Sequence, residues 1–462
     1  MIQWEWGAPE RHLCMLVDCV FNPTVGCHLL DIPLFLCHNT SIETFAMKLR
    51  PHQQASLDAM LKASRGTLLC PTGGGKTLVA IMNLIARLNA SQGGLTAVVV
   101  CPRLLLVNQL CEEYLQEIDT KNVHILHVHS GDTHHFSTTK PDQIALFNNT
   151  ARAAGESCII FTTYHSLNRI VEAGVDIDVA YFDEAHNATS KQFFPKTAMV
   201  SQMADACYFF TATPRQSKNP MGRGMNNKLV FGDVLHSVPA QELIDSGSII
   251  PPSIQIHEQP SVARTKSNAA DCDSTTVLEI IDNLDDTAGQ KVLVAAPSSK
   301  IIWGMVAQTA MLQDLADRGY DVLHITSKYG AYVNKTKVNR EVFFDTLTAW
   351  GKDPNRKFVV FHYSILSEGM NVPGLTHCVL LRNLNIVEMA QTIGRVIRMN
   401  VDDARDIAEG RITPGDLGNY RKPFGFVTVP IYGNYGAQIQ KRLQSVVDAI
   451  FVKGVPPSSI IA

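Results

Sequence analysis

The sequence has no excess of basic residues. Its 462 residues include 40 Lys and Arg against 43 Asp and Glu, a formal net charge of −3. This balance excludes a globally basic surface, the simplest sign of a polyanionic partner, but leaves room for local basic grooves. Low-complexity runs are absent as well. With 45% hydrophobic and 18% charged residues, the sequence predicts a chain that folds throughout.

Long apolar stretches and a regular cysteine spacing are also missing. No uncharged apolar stretch reaches about 18 residues, and the N-terminus lacks a basic segment followed by an apolar one, which argues against a membrane span or a secretory signal. The 11 cysteines are an odd number without regular short spacing. We therefore expect reduced thiols and a cytoplasmic location, in a bacterium or a virus-infected host cell.

Cysteine and histidine are frequent near the N-terminus. A zinc site there is one interpretation, but few of these residues are paired at the spacing of two zinc knuckles. Buried cysteines in a small β-rich extension are the preferred alternative. The residues concerned are His12, Cys14, Cys19, Cys27, His28, Cys37 and His38.

Short apolar runs alternate with helical patterns along the rest of the chain. Fully apolar runs of this length predict strands of a parallel sheet with helices on both faces. Pro251-Pro252 interrupts the series, which then restarts. We predict an α/β fold with a β-rich extension at 1–45, one parallel-sheet domain at 46–250, a second at 251–462, and a loop at 258–276.

A glycine-rich segment, Cys70-Pro-Thr-Gly-Gly-Gly-Lys-Thr77, lies between a predicted strand and a predicted helix. Backbone N–H groups of Gly73, Gly74 and Gly75 can surround phosphate oxygens, and the helix dipole favours the same anion. Lys76 would reach the β and γ phosphates, and the Thr77 hydroxyl would bind Mg²⁺. Cys70 occupies the place of the first glycine of the usual pattern, so a simple glycine-rich turn is the alternative.

Two further segments carry groups suited to phosphate chemistry. The apolar run at 179–182 ends in Asp183 and Glu184, which would hold Mg²⁺ through water and activate the attacking water; an acidic helix cap is the alternative. Gln391, Arg395 and Arg398 are four and three residues apart, so on a helix they share one face. Both arginines could cross from the second domain to a γ phosphate, and a solvated basic face is the alternative.

These segments resemble, in order, the motifs of superfamily 2 helicases over about residues 48–400. The resemblance implies two tandem RecA-like domains and nucleic-acid-stimulated hydrolysis of ATP with Mg²⁺. Leu49-Arg-Pro-His-Gln53 resembles the adenine-reading motif, so Gln53 would contact the base, and Thr72 belongs to the phosphate loop. The resemblance gives a coupling role to His186, the last residue of the Asp-Glu-Ala-His box at 183–186, and to Thr211 and Thr213 of the coupling motif Thr211-Ala-Thr-Pro214. It also implies two nucleotide contacts in the fifth motif, Gly369 and Asn371.

The resemblance also implies a nucleic acid held across both domains. The matching positions for its contacts are Arg103, Thr163, Ser298 and Ser367. The segments at 380–383 and 422–430 resemble those of restriction-type and UvsW-like phage recombination helicases more than those of Asp-Glu-Ala-His RNA helicases. This resemblance favours DNA as the substrate. We therefore expect a monomeric DNA helicase or translocase that acts on branched, recombination or repair intermediates, with no membrane contact. The alternatives are an RNA helicase or remodeller and the motor subunit of a restriction or defence complex.

Overall fold

A computed structural model describes residues 49–91, 93–258, 264–284, 289–363, 372–382, 384–431, 441, 443–456 and 459–461. The predicted extension at 1–45, with its Cys and His residues, lies outside the described residues. So do three predicted site residues, Ser367, Gly369 and Asn371. Among the helices of the described part, none combines the length and apolar character needed to cross a bilayer.

The first sheet has seven strands, all parallel. Its spatial order is β3-β4-β2-β5-β6-β1-β8. The strands are β1 (Arg65–Leu69), β2 (Thr96–Cys101), β3 (Val123–Val128), β4 (Ser157–Thr163), β5 (Ile177–Phe182), β6 (Ala204–Thr211) and β8 (Asp233–Ser237), while β7 (Arg215–Ser217) lies outside this sheet. The helices are α1 (Pro51–Leu61), α2 (Lys76–Ala90), α3 (Leu104–Glu117), α4 (Pro141–Ala153), α5 (Leu167–Ala173), α6 (Phe194–Met203), α7 (Lys228–Phe231) and α8 (Ala240–Asp245).

Helices cover both faces of this sheet, which explains why its strands are apolar at every position. Successive side chains of a strand point to opposite faces. In β2, Val99 and Cys101 pack into one hydrophobic cluster, and Val98 and Val100 pack into a second cluster on the other side. The strand is therefore buried throughout.

The second sheet has eight strands in the order β13-β12-β11-β14-β10-β15-β16-β9. They are β9 (Pro252–Glu258), β10 (Lys291–Ala295), β11 (Asp321–Thr326), β12 (Gly330–Val333), β13 (Thr336–Val338), β14 (Phe358–His362), β15 (His377–Leu380) and β16 (Gly425–Ile431). All neighbours are parallel except β11, β12 and β13, which pair antiparallel. The helices are α9 (Ala269–Asp282), α10 (Ser299–Gln308), α11 (Met311–Asp317), α12 (Arg340–Lys352), α13 (Ile386–Val396) and α14 (Val401–Ala408).

Two short 3₁₀ helices (Ala185–Thr189 and Leu417–Asn419), a π-helical turn (Asp448–Val452) and β17 (Ser459–Ile461) complete the described elements. The predicted α/β fold of two tandem sheets is confirmed. Pro252 starts β9 at the edge of the second sheet, where a missing N–H does not break an interior ladder.

The predicted loop at 258–276 is wrong from Ala269 onward, because α9 begins there. Asp273 lies on the buried face of this helix, and its carboxylate accepts two hydrogen bonds from Arg264, at 2.7 and 2.8 Å. A buried carboxylate paired in this way puts a polar residue at a helix position where an apolar residue would normally mark the helical period. The segment therefore looks like a loop in the sequence.

The end of the described chain returns from the second sheet to the first-sheet region. Ile450 and Phe451 belong to the hydrophobic cluster that includes Leu293 and Val360 of the second sheet. Further along, β17 pairs in parallel with β7, in the register Ser459↔Arg215. We refer to the described residues of this end, 443–456 and 459–461, as the C-terminal strap.

Candidate active site

The phosphate loop lies between β1 and α2. Gly73 and Gly75 adopt left-handed backbone conformations, with φ of 90° and 78°. These conformations are accessible to glycine without strain. At Gly74 the restriction is different, because a Cβ atom would lie 2.3 Å from Cys70 Sγ. Glycine is therefore needed at all three positions: at Gly73 and Gly75 for the backbone conformation, and at Gly74 for lack of space.

Cys70, in the place of the usual first glycine, is compatible with this loop. It is not among the described residues with positive φ, so its position does not need glycine. Burial raises the pKa of the Cys70 thiol to about 11, and the residue packs as a neutral, apolar group. Its carbonyl oxygen accepts a hydrogen bond of 3.2 Å from Lys76 Nζ. The lysine of the loop is therefore folded back toward the strand.

The start of α1 supports the phosphate loop from behind. His52 Nε2 donates a 2.9 Å hydrogen bond to Gly74 O, and burial lowers the pKa of this histidine, which favours its neutral form. Gln53 is buried beside the loop, since a Cβ atom at Gly75 would lie 2.2 Å from Gln53 Nε2. Its Oε1 accepts from Arg50 N at 2.9 Å. The sequence analysis missed His52, although the residue lies within the segment that resembles the adenine-reading motif.

Asp183 and Glu184 directly follow β5. Asp183 is fixed at both sides of its backbone, because its N–H donates to Val100 O at 2.8 Å and its carbonyl accepts from Tyr164 Oη at 2.9 Å. Glu184 has φ of 45°, a strained conformation for a residue with a side chain. Burial and the neighbouring Glu184 charge raise the pKa of Asp183 to about 7. A carboxylate in this environment is well suited to a cation, and Thr77 supplies a second oxygen at the same cavity.

Gln391 and Arg395 lie on α13, which starts with a capping box formed by Asn385 and Glu388. The helix ends at Val396, so the prediction that Arg398 shares a helical face with them is wrong. Arg398 instead follows the helix and forms an isolated antiparallel bridge with Ile249. Because the helix stops two residues earlier, the Arg398 side chain is placed by that bridge and not by helical spacing.

The phosphate loop, the acidic pair and both arginines face one cleft with an open volume of about 1450 Å³. Burial, and then the positive charge of Arg398, lower the pKa of Arg395 to about 9, still well above neutral pH. The predicted site residues that line the cleft are Thr72, Gly73, Gly75, Lys76, Thr77, Asp183, Glu184, Gln391, Arg395 and Arg398. Gly74 and Gln53 lie behind the loop and are not part of this lining.

The two sides of the cleft meet most closely where α13 touches the phosphate loop. A Cβ atom at Gly394 would lie 2.7 Å from Thr72 Cβ and 3.0 Å from Thr72 Oγ1. Glycine at this position therefore lets the helix backbone approach the loop, with Arg395 as the next residue.

His186 connects the cleft to the segment after β6. It is almost fully buried, at 1% exposure. Its Nδ1 lies 3.1 Å from Thr211 Oγ1 and 3.3 Å from Thr213 Oγ1, and its Nε2 lies 3.5 Å from Gln391 Nε2. The structure thus brings together the three predicted coupling residues and adds Gln391 from the opposite side of the cleft.

The predicted nucleic-acid contacts are less uniform in their placement. Arg103 immediately precedes α3, and its charge is among those that lower the pKa of Arg395. Thr163 is 4% exposed, and its hydroxyl accepts from Ser166 N at 3.3 Å. Ser298 caps α10 by accepting from Ile301 N at 3.2 Å. Of these three, Thr163 is the least available to a ligand.

A group of aromatic residues at the carboxyl edge of the second sheet was missed. Trp303 stacks on Tyr329 with ring centroids 4.9 Å apart, and Lys328 Nζ lies 5.2 Å from the Tyr329 ring. After the neighbouring strand β14, Tyr363 is 38% exposed with the Arg382 guanidinium 4.9 Å from its ring. We call these residues the aromatic edge. Residues 322–340 carry four Lys or Arg and no Asp or Glu, a signal that the sequence contained.

Comparisons with known proteins agree with this arrangement. Residues 46–216 match the family described as Type III restriction enzyme, res subunit. None of the curated proteins compared with the chain matches it.

Solved structures with the same fold include DNA-bound and RNA-bound proteins. The ATP-dependent Type ISP restriction-modification enzyme LlaBIII bound to DNA has a TM-score of 0.66 at 15% identity, over 90% of this chain and 31% of that chain. Mss116p bound to ssRNA and AMP-PNP has a TM-score of 0.57 at 15% identity, over 90% of this chain and 74% of that chain. S. cerevisiae Dbp5 bound to RNA and ADP BeF3 has a TM-score of 0.55 at 14% identity, over 90% of both chains.

The chain thus spans about a third of the length of the restriction-modification enzyme to which it is similar. The region that matches the restriction family contains the phosphate loop, the acidic pair and the coupling threonines. The similarity in fold extends over 90% of this chain, so it includes both sheets. Residues 46–216 thus match a superfamily 2 helicase-type family, and the chain has the fold of two tandem RecA-like domains.

Proposed function

We propose that the protein is an ATP-dependent DNA helicase or translocase, with residues 46–250 as the ATP-binding motor domain and 251–462 as the second motor domain. The observation that carries the proposal is the composition of the cleft. Lys76 and Glu184 reach it from loops of the first sheet, and Arg395 and Arg398 reach it from the segment around α13. Neither set alone is a complete site for phosphoryl transfer.

Each group has a distinct task in hydrolysis. Lys76 leaves its contact with Cys70 O and binds the β and γ phosphates. Glu184 orients the attacking water and accepts its proton, while Arg395 and Arg398 neutralise the charge that develops on the γ phosphate. Mg²⁺ held by Thr77 and Asp183, when bound, would offset the charge of the phosphate oxygens.

Coupling to a polymer follows from the His186 contacts. His186 touches Thr211 and Thr213 on one side and Gln391 on the other. When the γ phosphate is lost, the arginines lose their anionic partner and the cleft opens. The same motion then shifts the segment after β6, which converts hydrolysis into movement along the polymer.

The aromatic edge supports single-stranded nucleic acid as the polymer. Trp303, Tyr329 and Tyr363 offer ring faces, and Lys328 and Arg382 place charges next to them. Bases stack on such rings with about 1–3 kcal/mol each, and the cations meet the phosphates. We expect Trp303→Ala to weaken single-strand affinity by roughly 10-fold, from the lower part of that range, without changing basal ATP hydrolysis. Unchanged affinity would exclude the aromatic edge from the polymer path.

DNA is favoured over RNA by the match to a restriction-enzyme family and by the similarity to a DNA-bound restriction-modification enzyme. An RNA remodeller is the second candidate, because the similarity to RNA-bound Dbp5 extends over 90% of both chains. The polymer contacts of such motors are mainly to phosphates, which both nucleic acids share. The choice therefore has to be made by experiment.

The deciding experiment measures steady-state ATP hydrolysis with single-stranded, duplex and branched DNA and with RNA, at matched nucleotide concentration and fixed salt. Stimulation by DNA above RNA supports the proposal, and the reverse supports the remodeller. Lys76→Ala should abolish turnover with every polymer. If no nucleic acid stimulated hydrolysis, the motor function itself would be refuted.

A third candidate is the motor subunit of a restriction or defence complex. It is favoured by the fact that the chain covers only 31% of the similar restriction-modification enzyme, so other activities could reside on a partner. Such a subunit would translocate without separating strands alone. Displacement of a triplex-forming oligonucleotide from duplex DNA, without unwinding of a forked duplex, would favour this candidate.

A further inference from the structure

Histidine is concentrated in one short stretch of the first domain. Five of the 16 histidines of the chain lie between positions 124 and 135. Two of them, His127 and His135, face Cys111 of α3, and one donor atom from each of the three residues lies within 4.8 Å of the others. The cluster lies at β3, the edge strand of the first sheet. None of its three residues lines the cleft.

The backbone holds the two imidazoles together. After β3 the chain loops round and returns beside the strand in the parallel direction, so that His127 N donates to Phe136 O at 2.9 Å and Thr138 N donates to His127 O at 3.0 Å. This return places the His135 ring nearly parallel to the His127 ring, with centroids 5.4 Å apart. The two histidines are therefore fixed relative to each other by main-chain bonds and not only by side-chain packing.

Helix α3 closes the cluster from the other side. Asn108 Nδ2 donates a 3.0 Å hydrogen bond to Asp132 O, which lies in the same return. Cys111 comes three residues after Asn108, so both project from the same face of the helix. Cys111 is 1% exposed, and its sulfur lies within 4.8 Å of a ring nitrogen of each of the two histidines.

One ring nitrogen of His127 is free to act as a ligand. His127 is fully buried, and its Nδ1 is occupied by a 2.8 Å hydrogen bond with His129 Nε2. Its Nε2 is buried and has no hydrogen-bond partner among the described residues. A buried imidazole with one nitrogen bonded to a neighbour and the other unpartnered is the arrangement that metal-binding histidines adopt.

We propose that Cys111, His127 and His135 bind one Zn²⁺ ion, with solvent in the fourth position, independently of the nucleic-acid motor function. Thiolate sulfur and neutral imidazole nitrogen are the ligands that zinc prefers. On binding, Cys111 releases its thiol proton to solvent, and the thiolate and two imidazoles each donate an electron pair. Zinc bonds of about 2.0–2.3 Å place tetrahedral donors about 3.4–3.7 Å apart, so the side chains approach by up to about 1 Å.

The hydrogen bond between the histidines reorganises with the metal. Coordination through His127 Nε2 leaves the His127 proton on Nδ1, which then donates to His129 Nε2. His129 in turn carries its proton on Nδ1 and gives up the 3.2 Å hydrogen bond from Gly131 N. One long hydrogen bond is thus exchanged for three metal–ligand bonds, and His129 orients the ligand without touching the ion.

The ion would brace one wall of the cleft. Helix α3 contributes Leu106, Gln109, Leu110 and Glu113 to the cleft lining, and Cys111 is part of the same helix. A metal bond from Cys111 to His127 and His135 fastens that helix to the edge of the sheet. Its loss is expected to lower the melting temperature and to leave the groups that contact phosphate in place.

The test uses the full-length protein, purified without a metal-affinity column. Bound metal is quantified by mass spectrometry, and Co²⁺ is then substituted to detect thiolate-to-cobalt charge transfer and tetrahedral d–d absorption. We expect one Zn²⁺ for each chain at this site and a cobalt spectrum with both features. The cobalt spectrum of the parent protein shows whether a thiolate binds the metal, even if a variant folds poorly. A spectrum without a thiolate band would refute Cys111 as a ligand.

Variants assign the metal to this cluster. Cys111→Ser and His135→Ala should each lose one equivalent of zinc and melt several degrees lower, whereas the exposed neighbour His134→Ala should keep the metal. A Cys27→Ser, His28→Ala variant controls for zinc held by the N-terminal residues. Metal lost only in that variant, or a parent that takes up no zinc at micromolar concentration, would overturn the proposal.

Discussion

Replacing Gly394 with alanine should block the closed arrangement of the cleft. The added Cβ would lie 2.7 Å from Thr72 Cβ, whereas two carbon atoms pack at about 3.5–4.0 Å. Thr72 is β-branched and lies in the phosphate loop, so it cannot swing aside as a long side chain would. The loop and α13 must therefore separate by about 1 Å, and Arg395, the next residue, moves with the helix.

A displacement of about 1 Å in a phosphoryl-transfer site can cost on the order of 100-fold in rate, or about 2.7 kcal/mol of transition-state stabilisation. We expect kcat to fall by that order while the affinity for ATP, which depends on the phosphate loop, changes much less. Alanine is favoured over glycine by about 1 kcal/mol inside a helix, so α13 itself should not be weakened. Steady-state hydrolysis and binding of a fluorescent ATP analogue measure the two effects separately.

The control for Gly394→Ala is Gly93→Ala, because a Cβ at Gly93 meets no atom within 4 Å. A double-mutant cycle with Thr72→Gly tests the contact itself, since adding Gly394→Ala to that background should cost little further activity. If Gly394→Ala kept kcat within about twofold of the parent, the proposal that the two sides meet here during turnover would be refuted.

Three further substitutions test the roles of Arg395, His186 and His362. Arg395→Lys should lower kcat by about 10³-fold with little change in ATP affinity, because a lysine cannot reproduce the planar guanidinium; equal kcat would remove Arg395 from the transition state. His186→Ala should reduce stimulation by the polymer more than basal hydrolysis, and equal losses would contradict a coupling role. Burial, followed by the charges of Arg395 and Arg382, lowers the pKa of His362 to about 3. An unfolded histidine binds a proton below about pH 6.5, whereas the buried one binds it only near pH 3. The free energy of unfolding should therefore fall by up to about 1.4 kcal/mol for each pH unit between about 6.5 and about 3. His362→Leu should flatten this acid limb in thermal melts, and an unchanged limb would show that other groups cause it.

Much of the fold was predictable because its strands are buried on both faces. Runs such as 97–101 and 158–161 are apolar at every position, and the structure gives them the strands β2 and β4. The hairpin formed by β12 and β13 was not predicted, since its strands are four and three residues long and half-exposed. Short strands with polar faces have neither an apolar run nor enough length for a clear alternation.

The place of a residue in the cleft could be predicted from the sequence where that residue directly follows a single predicted strand. The phosphate loop and the acidic pair each follow a strand, so their positions are set by the sheet. Arg398 shows the limit, because helix spacing is valid only to Val396 and a bridge to Ile249 then places the side chain. His52 shows another limit, since its hydrogen bond to Gly74 joins residues 22 positions apart, and no sequence periodicity reports such a contact.

The C-terminal strap gives the protein a second connection between its halves. The first connection is the covalent segment before β9, and the second is the strap, whose last three residues are hydrogen-bonded to β7 just after the coupling threonines. A body joined to another at two separate points keeps only rotation about the line between them. As long as β17 stays paired with β7, the cleft should therefore open by rotation about one fixed hinge axis. A wider separation of the two domains requires β17 to detach from β7.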